Sequence, residues 1–120
     1  MPVESALFSI SAMDAILIFT NLPDRDTALS LARELIAARV AACVNVLGGC
    51  TSVYRWEGET ETADEVPLLI KTRASLYSVV ERMIRERHPY ELPEIIAVPL
   101  ANGLPAYLDW LKAETTDFSA

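Results

Sequence analysis

The residues best equipped for chemistry sit in one short segment, His88-Pro89-Tyr90-Glu91-Leu92-Pro93-Glu94. It gathers an imidazole, a phenol and carboxylates around two prolines. Proline fixes φ, so such a segment holds its polar groups in place, as a binding site requires. The same residues would also serve as a helix-ending turn in which His88 caps the last carbonyls. The chain has 1 histidine, so no metal centre within one copy can draw on two imidazoles.

Three other groups carry reactive side chains. Cys43, in Ala41-Ala42-Cys43-Val44-Asn45, could ligate a soft metal as a thiolate, which needs positive charge nearby. None is adjacent in sequence, and a free cysteine in a strand more often packs as a small apolar residue. Tyr54 and Trp56 share a strand face by their even spacing, and Lys71 lies at the far end of the returning arm. A lysine beside aromatics can hold an anionic ligand or act as a base. The plainer reading is a subunit contact with Lys71 in a salt bridge. Finally, Glu57, Glu59, Glu61, Asp64 and Glu65 cluster near a hairpin tip. Alternate carboxylates attract divalent cations, but charges there more commonly keep an exposed tip soluble and prevent edge pairing. Glycine-rich phosphate loops, a Ser-His-Asp order and paired-cysteine zinc spacings do not occur.

The stretch from Ala41 to Thr72 must position these groups. It reads as two β-rich runs meeting at Trp56-Glu57-Gly58-Glu59. Arms of about 14 residues would span roughly 45 Å, whereas a domain of this length has a radius of gyration near ~14 Å. The hairpin therefore overshoots its own domain, and its apolar side chains and open edges call for another copy. Gly48-Gly49 interrupts the outgoing arm as a bulge or close backbone approach, and Pro67 places an edge or bulge in the returning one.

The flanking segments complete the architecture. Ala15 to Thr20 is an apolar run closed by a threonine, the pattern of a buried strand. Asp24 caps a helix whose apolar face is Ala28, Leu31, Ala32, Leu35 and Ile36. Thr72 is placed to cap a second helix with a regular stripe of Leu76, Val79, Val80, Met83 and Ile84, ended by His88-Pro89. Ile95 to Leu100 is a further strand, and Pro105 opens a last helix carrying Tyr107, Leu108, Trp110 and Leu111. The order β-α-β-β-α-β plus a C-terminal helix is the split βαβ of an α+β, ferredoxin-like fold with a long protruding β-hairpin. Residues 1–14 are expected to be a flexible extension, 15–115 the single domain and 116–120 a frayed tail.

Bulk properties fit this picture. An apolar content of 52% in 120 residues suits a chain that buries more surface between subunits. A net charge of −7 argues against a nucleic-acid partner, which would require a basic stripe. Cys43 and Cys50 lie roughly 23 Å apart if extended, too far for a disulfide, and unpaired thiols suit a reducing compartment. With no membrane span of about 18 apolar residues and no basic N-terminal signal, a cytoplasmic location is expected.

Taken together, Ala41-Ala42-Cys43-Val44-Asn45, Ser52-Val53-Tyr54-Arg55-Trp56-Glu57-Gly58, Lys71-Thr72, His88-Pro89-Tyr90, Pro93-Glu94-Ile95-Ile96 and Tyr107 to Trp110 carry a clear likeness. The chain resembles the CutA divalent-cation-tolerance proteins from Ala15 to Leu111. The resemblance implies a ferredoxin-like fold assembled as a tight homotrimer, similar in plan to the PII signalling proteins, with long strands interlocking the subunits. It implies no enzymatic reaction, and a divalent cation, copper being the proposed ion, as ligand. The copper site suggested for bacterial relatives uses a cysteine at the end of the first strand and paired histidines before Pro-Tyr. Here Thr20 stands at the thiol position and Arg87 at one imidazole position, which leaves His88 and Cys43 as metal ligands. The ligand cleft between subunits would be walled by Tyr54, Trp56, Lys71, Tyr90 and Glu94. The alternative is a PII-like signalling or scaffold trimer that reads an anionic metabolite and reports to a protein partner.

Overall fold

Strand β1 (Ala15–Leu22) runs through the middle of the sheet, and its burial alternates as its sequence does not. All its residues but Thr20 and Asn21 are apolar, yet Ile16, Ile18, Thr20 and Leu22 are buried while Leu17, Phe19 and Asn21 are only partly covered. The computed structural model describes residues 14–116. Helix α1 (Arg25–Ala37) follows, then β2 (Cys43–Val46), β3 (Cys50–Trp56) and β4 (Glu59–Arg73). A single 3-10 turn leads into α2 (Tyr77–Arg87), and β5 (Ile95–Pro99) and α3 (Pro105–Ala113) complete the chain. The antiparallel sheet has the order β2-β4-β1-β5, with β3 paired to the distal half of β4. This is the ferredoxin-like α+β fold, and Pro105 does open the last helix.

One sheet face is closed by helices. Ile16, Ile18 and Leu22 from β1 and Leu68 and Ile70 from β4 pack with Ala28, Leu31 and Leu35 of α1 and Val80 and Ile84 of α2. Asp24 caps α1, accepting from the Thr27 N–H at 2.8 Å and its hydroxyl at 3.0 Å. These bonds hold its carboxyl below the usual carboxylate range. Ile36 departs from the expected helix face. It is exposed and lines a groove of about 400 Å³ with Leu29, Val44 and Val46.

The hairpin is as long as the sequence implies. β4 runs unbroken for 15 residues, and the molecule measures 55 Å along its longest axis with a radius of gyration of 15.9 Å. Its two-residue loop, Glu57-Gly58, has φ of 50° and 83°. That is the primed turn whose twist matches paired strands, and it needs glycine where φ is most positive. The outgoing arm stops at Val46 and resumes at Cys50. Among the described residues nothing crowds the intervening glycines: a Cβ on Gly48 would meet no atom within 4 Å. They mark a bulge, three residues facing two, rather than a close approach.

One expectation is narrowed and one needs correction. Pro67 lies in an interior strand opposite Asn21 of β1, at a bulge rather than an edge: Leu47, Gly48 and Gly49 face only Val66 and Pro67. Its carbonyl accepts from the Leu47 N–H, so its missing donor faces the interval between β2 and β3, where no ladder bond is lost. Thr72 caps no helix. It is fully buried in β4, and its hydroxyl donates to the Val40 carbonyl at 2.6 Å. At the C-terminus, Thr116 N–H bonds the Arg39 carbonyl at 2.8 Å, so the chain is tied down that far. The expected N-terminal extension up to residue 13 and the tail from 117 lie outside the described residues. Among the described residues, no helix is long and apolar enough to cross a membrane.

Candidate functional site

The second sheet face has no helix across its centre. Strand alternation and register place Leu17 and Phe19, Leu69 and Lys71, Cys43 and Asn45, and Ile96 and Val98 on it together. Ile96 is 53% and Val98 42% exposed, so apolar side chains stand open on this face. The candidate functional residues gather at its two ends.

At the hairpin end, β1 pairs with β4 only as far as Val66, so Glu65 is the first residue of β4 without a β1 partner. The loop after α2 occupies this corner. His88 is buried and acts as its tie: Nε2–H donates to the Asn21 carbonyl, and Nδ1 accepts the Tyr90 backbone N–H at 3.1 Å. A carbonyl can only accept and an amide N–H only donate, so these bonds fix the Nε2–H tautomer and engage both ring nitrogens. The imidazole also packs on Tyr90, with ring centroids 4.7 Å apart. The Tyr90 hydroxyl bonds Glu65, and Tyr54 is close by. Burial first, then the charge of Glu65, pushes the Tyr90 phenol above its usual value. Asn21 completes the corner by donating to Glu94 Oε1 at 3.0 Å.

At the other end, Cys43 and Lys71 stand opposite each other in the β2–β4 ladder. Lys71 Nζ lies 5.9 Å from the centre of the Tyr107 ring, which itself packs against Trp110 at 5.4 Å. Such an arrangement holds an ammonium by the ring's negative face. The salt bridge the sequence suggests for Lys71 does not form among the described residues. Arg73 anchors α3 here, donating to the Thr115 hydroxyl and to the Lys112 and Thr115 carbonyls.

The predicted residues thus divide. Tyr54, His88, Tyr90 and Glu94 come together, whereas Lys71 is six residues beyond Glu65 on one strand, roughly 20 Å away. Trp56 sits apart near the hairpin turn, opposite Glu59. Cys43 is with Lys71 and not with His88. Both cysteines are unpaired. The residues of a single chain do not fit a copper centre: His88 has no free nitrogen, and no set of three His, Cys, Asp or Glu that could hold an ion occurs among the described residues. Thr20, at the proposed thiol position, faces the helix-covered core.

Sequence reasoning missed Glu65 and Asn21. Glu65 reads as one of a solvated acidic group, yet it is 9% exposed. Its phase with Lys71 along β4 was the available signal: an even spacing puts both on one face. Asn21 carries its function partly through its backbone carbonyl, which leaves no trace in side-chain type.

Comparison with known proteins is consistent along the whole domain. The family model "CutA1 divalent ion tolerance protein" matches residues 16–114. The divalent-cation tolerance protein CutA of Thermus thermophilus is 40% identical, with 86% of this chain and 99% of that protein covered. The chloroplastic protein CutA of Arabidopsis thaliana is 37% identical over 89% of this chain, which spans 59% of the plant protein. The crystal structure of CutA from Xylella fastidiosa is 45% identical and superimposes with a TM-score of 0.83, covering 86% of this chain and 99% of that one. By model, by sequence and by fold, the chain belongs to the CutA1 divalent ion tolerance family.

Proposed function

We propose that this protein is a non-enzymatic homotrimer whose open sheet faces meet, and that its inter-subunit clefts hold a divalent cation or a small ligand. One observation carries this reading: an apolar sheet face without a helix ends in a pre-built polar corner of Tyr54, Glu65, Tyr90 and Glu94. Bare apolar surface favours association, and a corner fixed by His88 needs little reordering to bind. The relatives' names point to divalent cations. Glu94 offers the cleft a carboxylate oxygen, a donor that suits hard divalent ions better than copper's softer preferences. Lys71 and Trp56 join the cleft from neighbouring copies. Two unpaired cysteines suit a cytoplasmic, reducing setting.

Titration of the assembled protein with Cu(II) and with Mn(II), followed by calorimetry and tryptophan fluorescence, tests the ligand. The expected result is saturable binding that Glu94→Gln weakens. The His88→Ala variant is expected to lose binding only to the extent that the Tyr90 loop moves, seen as a change in Tyr90 titration. Absence of saturable heat with any divalent ion would refute the metal reading.

A further inference from the structure

Two charged groups on the open face lack an opposite charge among the described residues. Glu65 is 9% exposed, and its single described partner is the neutral phenol of Tyr90. Lys71 is partly buried on the same face, with the Tyr107 ring near its ammonium and no carboxylate partner among the described residues. Leaving a carboxylate and an ammonium out of water without countercharge is costly, and mutual pairing is the usual remedy. Within one chain they cannot meet. They lie on one straight strand, roughly 20 Å apart, and β4 runs through both without interruption.

We infer that Lys71 of a second copy enters the Glu65–Tyr90–Tyr54 corner and forms the ion pair that each copy alone lacks. The inference rests on the assembly proposed above and names the residue that the second copy brings to the cleft. Closed rotational assemblies repeat one contact at every interface, so a single Lys71–Glu65 pairing satisfies both groups in every copy. The pairing is heterologous, joining opposite ends of the same sheet face. Other cations near the hairpin are already used: Arg55 donates to the Gly58 carbonyl at 3.1 Å and Arg25 to the Leu47 carbonyl at 3.4 Å. The phenol ring of Tyr90 and the apolar residues around Leu69 would shield the pair, while the Tyr90 hydroxyl keeps one carboxylate oxygen bonded and oriented.

The test compares native masses of wild type, Glu65→Gln, Lys71→Met and the double variant Glu65→Lys with Lys71→Glu, under stepwise dilution. Both single variants are expected to dissociate at concentrations roughly tenfold or more above the wild type's, and the exchanged double variant to recover most of that loss. A wild type that is a single chain throughout would overturn the assembly and this pairing together. A wild type that assembles beside single variants that assemble equally tightly would overturn the pairing alone. Loss in Glu65→Gln without loss in Lys71→Met also overturns it, since Glu65 would then face another cation. Should the exchanged variant misfold, wild-type protein decides. Carbodiimide treatment of mixed light and isotope-labelled protein should give a Glu65–Lys71 amide joining one light and one heavy copy. Absence of that cross-labelled peptide contradicts the inference.

Discussion

Ile70 points into the helix-covered core and is fully buried, whereas its neighbour on β4, Leu69, is only partly covered on the open face. The same contrast repeats across the sheet. Ile18 and Leu68 are fully buried on one side, while Ile96 and Val98 keep about half their surface on the other. Both faces are apolar, so hydropathy alone cannot tell them apart. What differs is the cover: α1 and α2 finish the first face within the chain, and no helix crosses the centre of the second. Stability of the single chain should accordingly reside in the closed face, and assembly in the open one.

Truncating the two neighbours separates these roles most sharply. Ile70→Ala should cost about 2–5 kcal/mol of unfolding free energy, because it leaves a cavity in a packed core. Leu69→Ala should cost the isolated chain far less and should chiefly lower the native mass on dilution. Denaturant unfolding measured at high and low protein concentration separates the two terms, since only assembly-linked stability varies with concentration. Equal, concentration-independent losses at both positions would mean that the open face is not an interface.

The contrast also explains how much the sequence could disclose. The helices, the Asp24 cap, the turn at Glu57-Gly58 and the order of elements along the chain were legible because each depends on local spacing or backbone chemistry. Thr72 was misread since a hydroxyl before a helix has the same appearance whether it caps or, as here, bonds Val40 from across the fold. Pro67 announced an edge or a bulge, and only the pairing register, with three residues opposite two, shows that it is the bulge. At the site, the prolines announced a rigid loop. The burial of Glu65 could not be read, because it depends on β1 stopping at Leu22 and on the Tyr90 loop filling that corner.

Thr72 offers the next largest effect on the closed face. Replacing it by valine keeps the shape but removes the donor that satisfies the buried Val40 carbonyl. An abandoned acceptor costs about 1–3 kcal/mol, so Thr72→Val should lower the unfolding free energy by that amount and bring the denaturation midpoint down with it. An unchanged midpoint would show that water or a rearranged donor replaces the hydroxyl.

The open face has its own test in alkaline solution. Burial, and then the charge of Glu65, raises the folded pKa of Tyr90 above the ordinary phenol value. A phenol that holds its proton more tightly when folded contributes stability that is complete below pH ~10. This contribution is lost as pH rises through the higher folded value. Of the four tyrosines, Tyr90 and Tyr77 are both raised. Tyr90→Phe should therefore delete one of the late steps in the phenolate absorbance titration and make alkaline unfolding less steep. Loss of an early step instead would place Tyr90 in water, away from Glu65.

The smallest effect should carry the opposite sign. Thr20 faces the same closed core as Thr72 and is 1% exposed, but its hydroxyl has no partner among the described residues. Burial strips water from the hydroxyl and returns no bond, so the group opposes folding where Thr72 favours it. Thr20→Val preserves volume and branching at the strand position, removing only the uncompensated polarity. The variant should gain about 1 kcal/mol, close to a 4 °C rise in Tm for a domain of this size, provided the two proteins are compared in the same oligomeric state. If Thr20→Val is instead destabilised as much as Thr72→Val, the Thr20 hydroxyl has a partner that one chain does not supply. The closed face would then no longer be complete within a single copy.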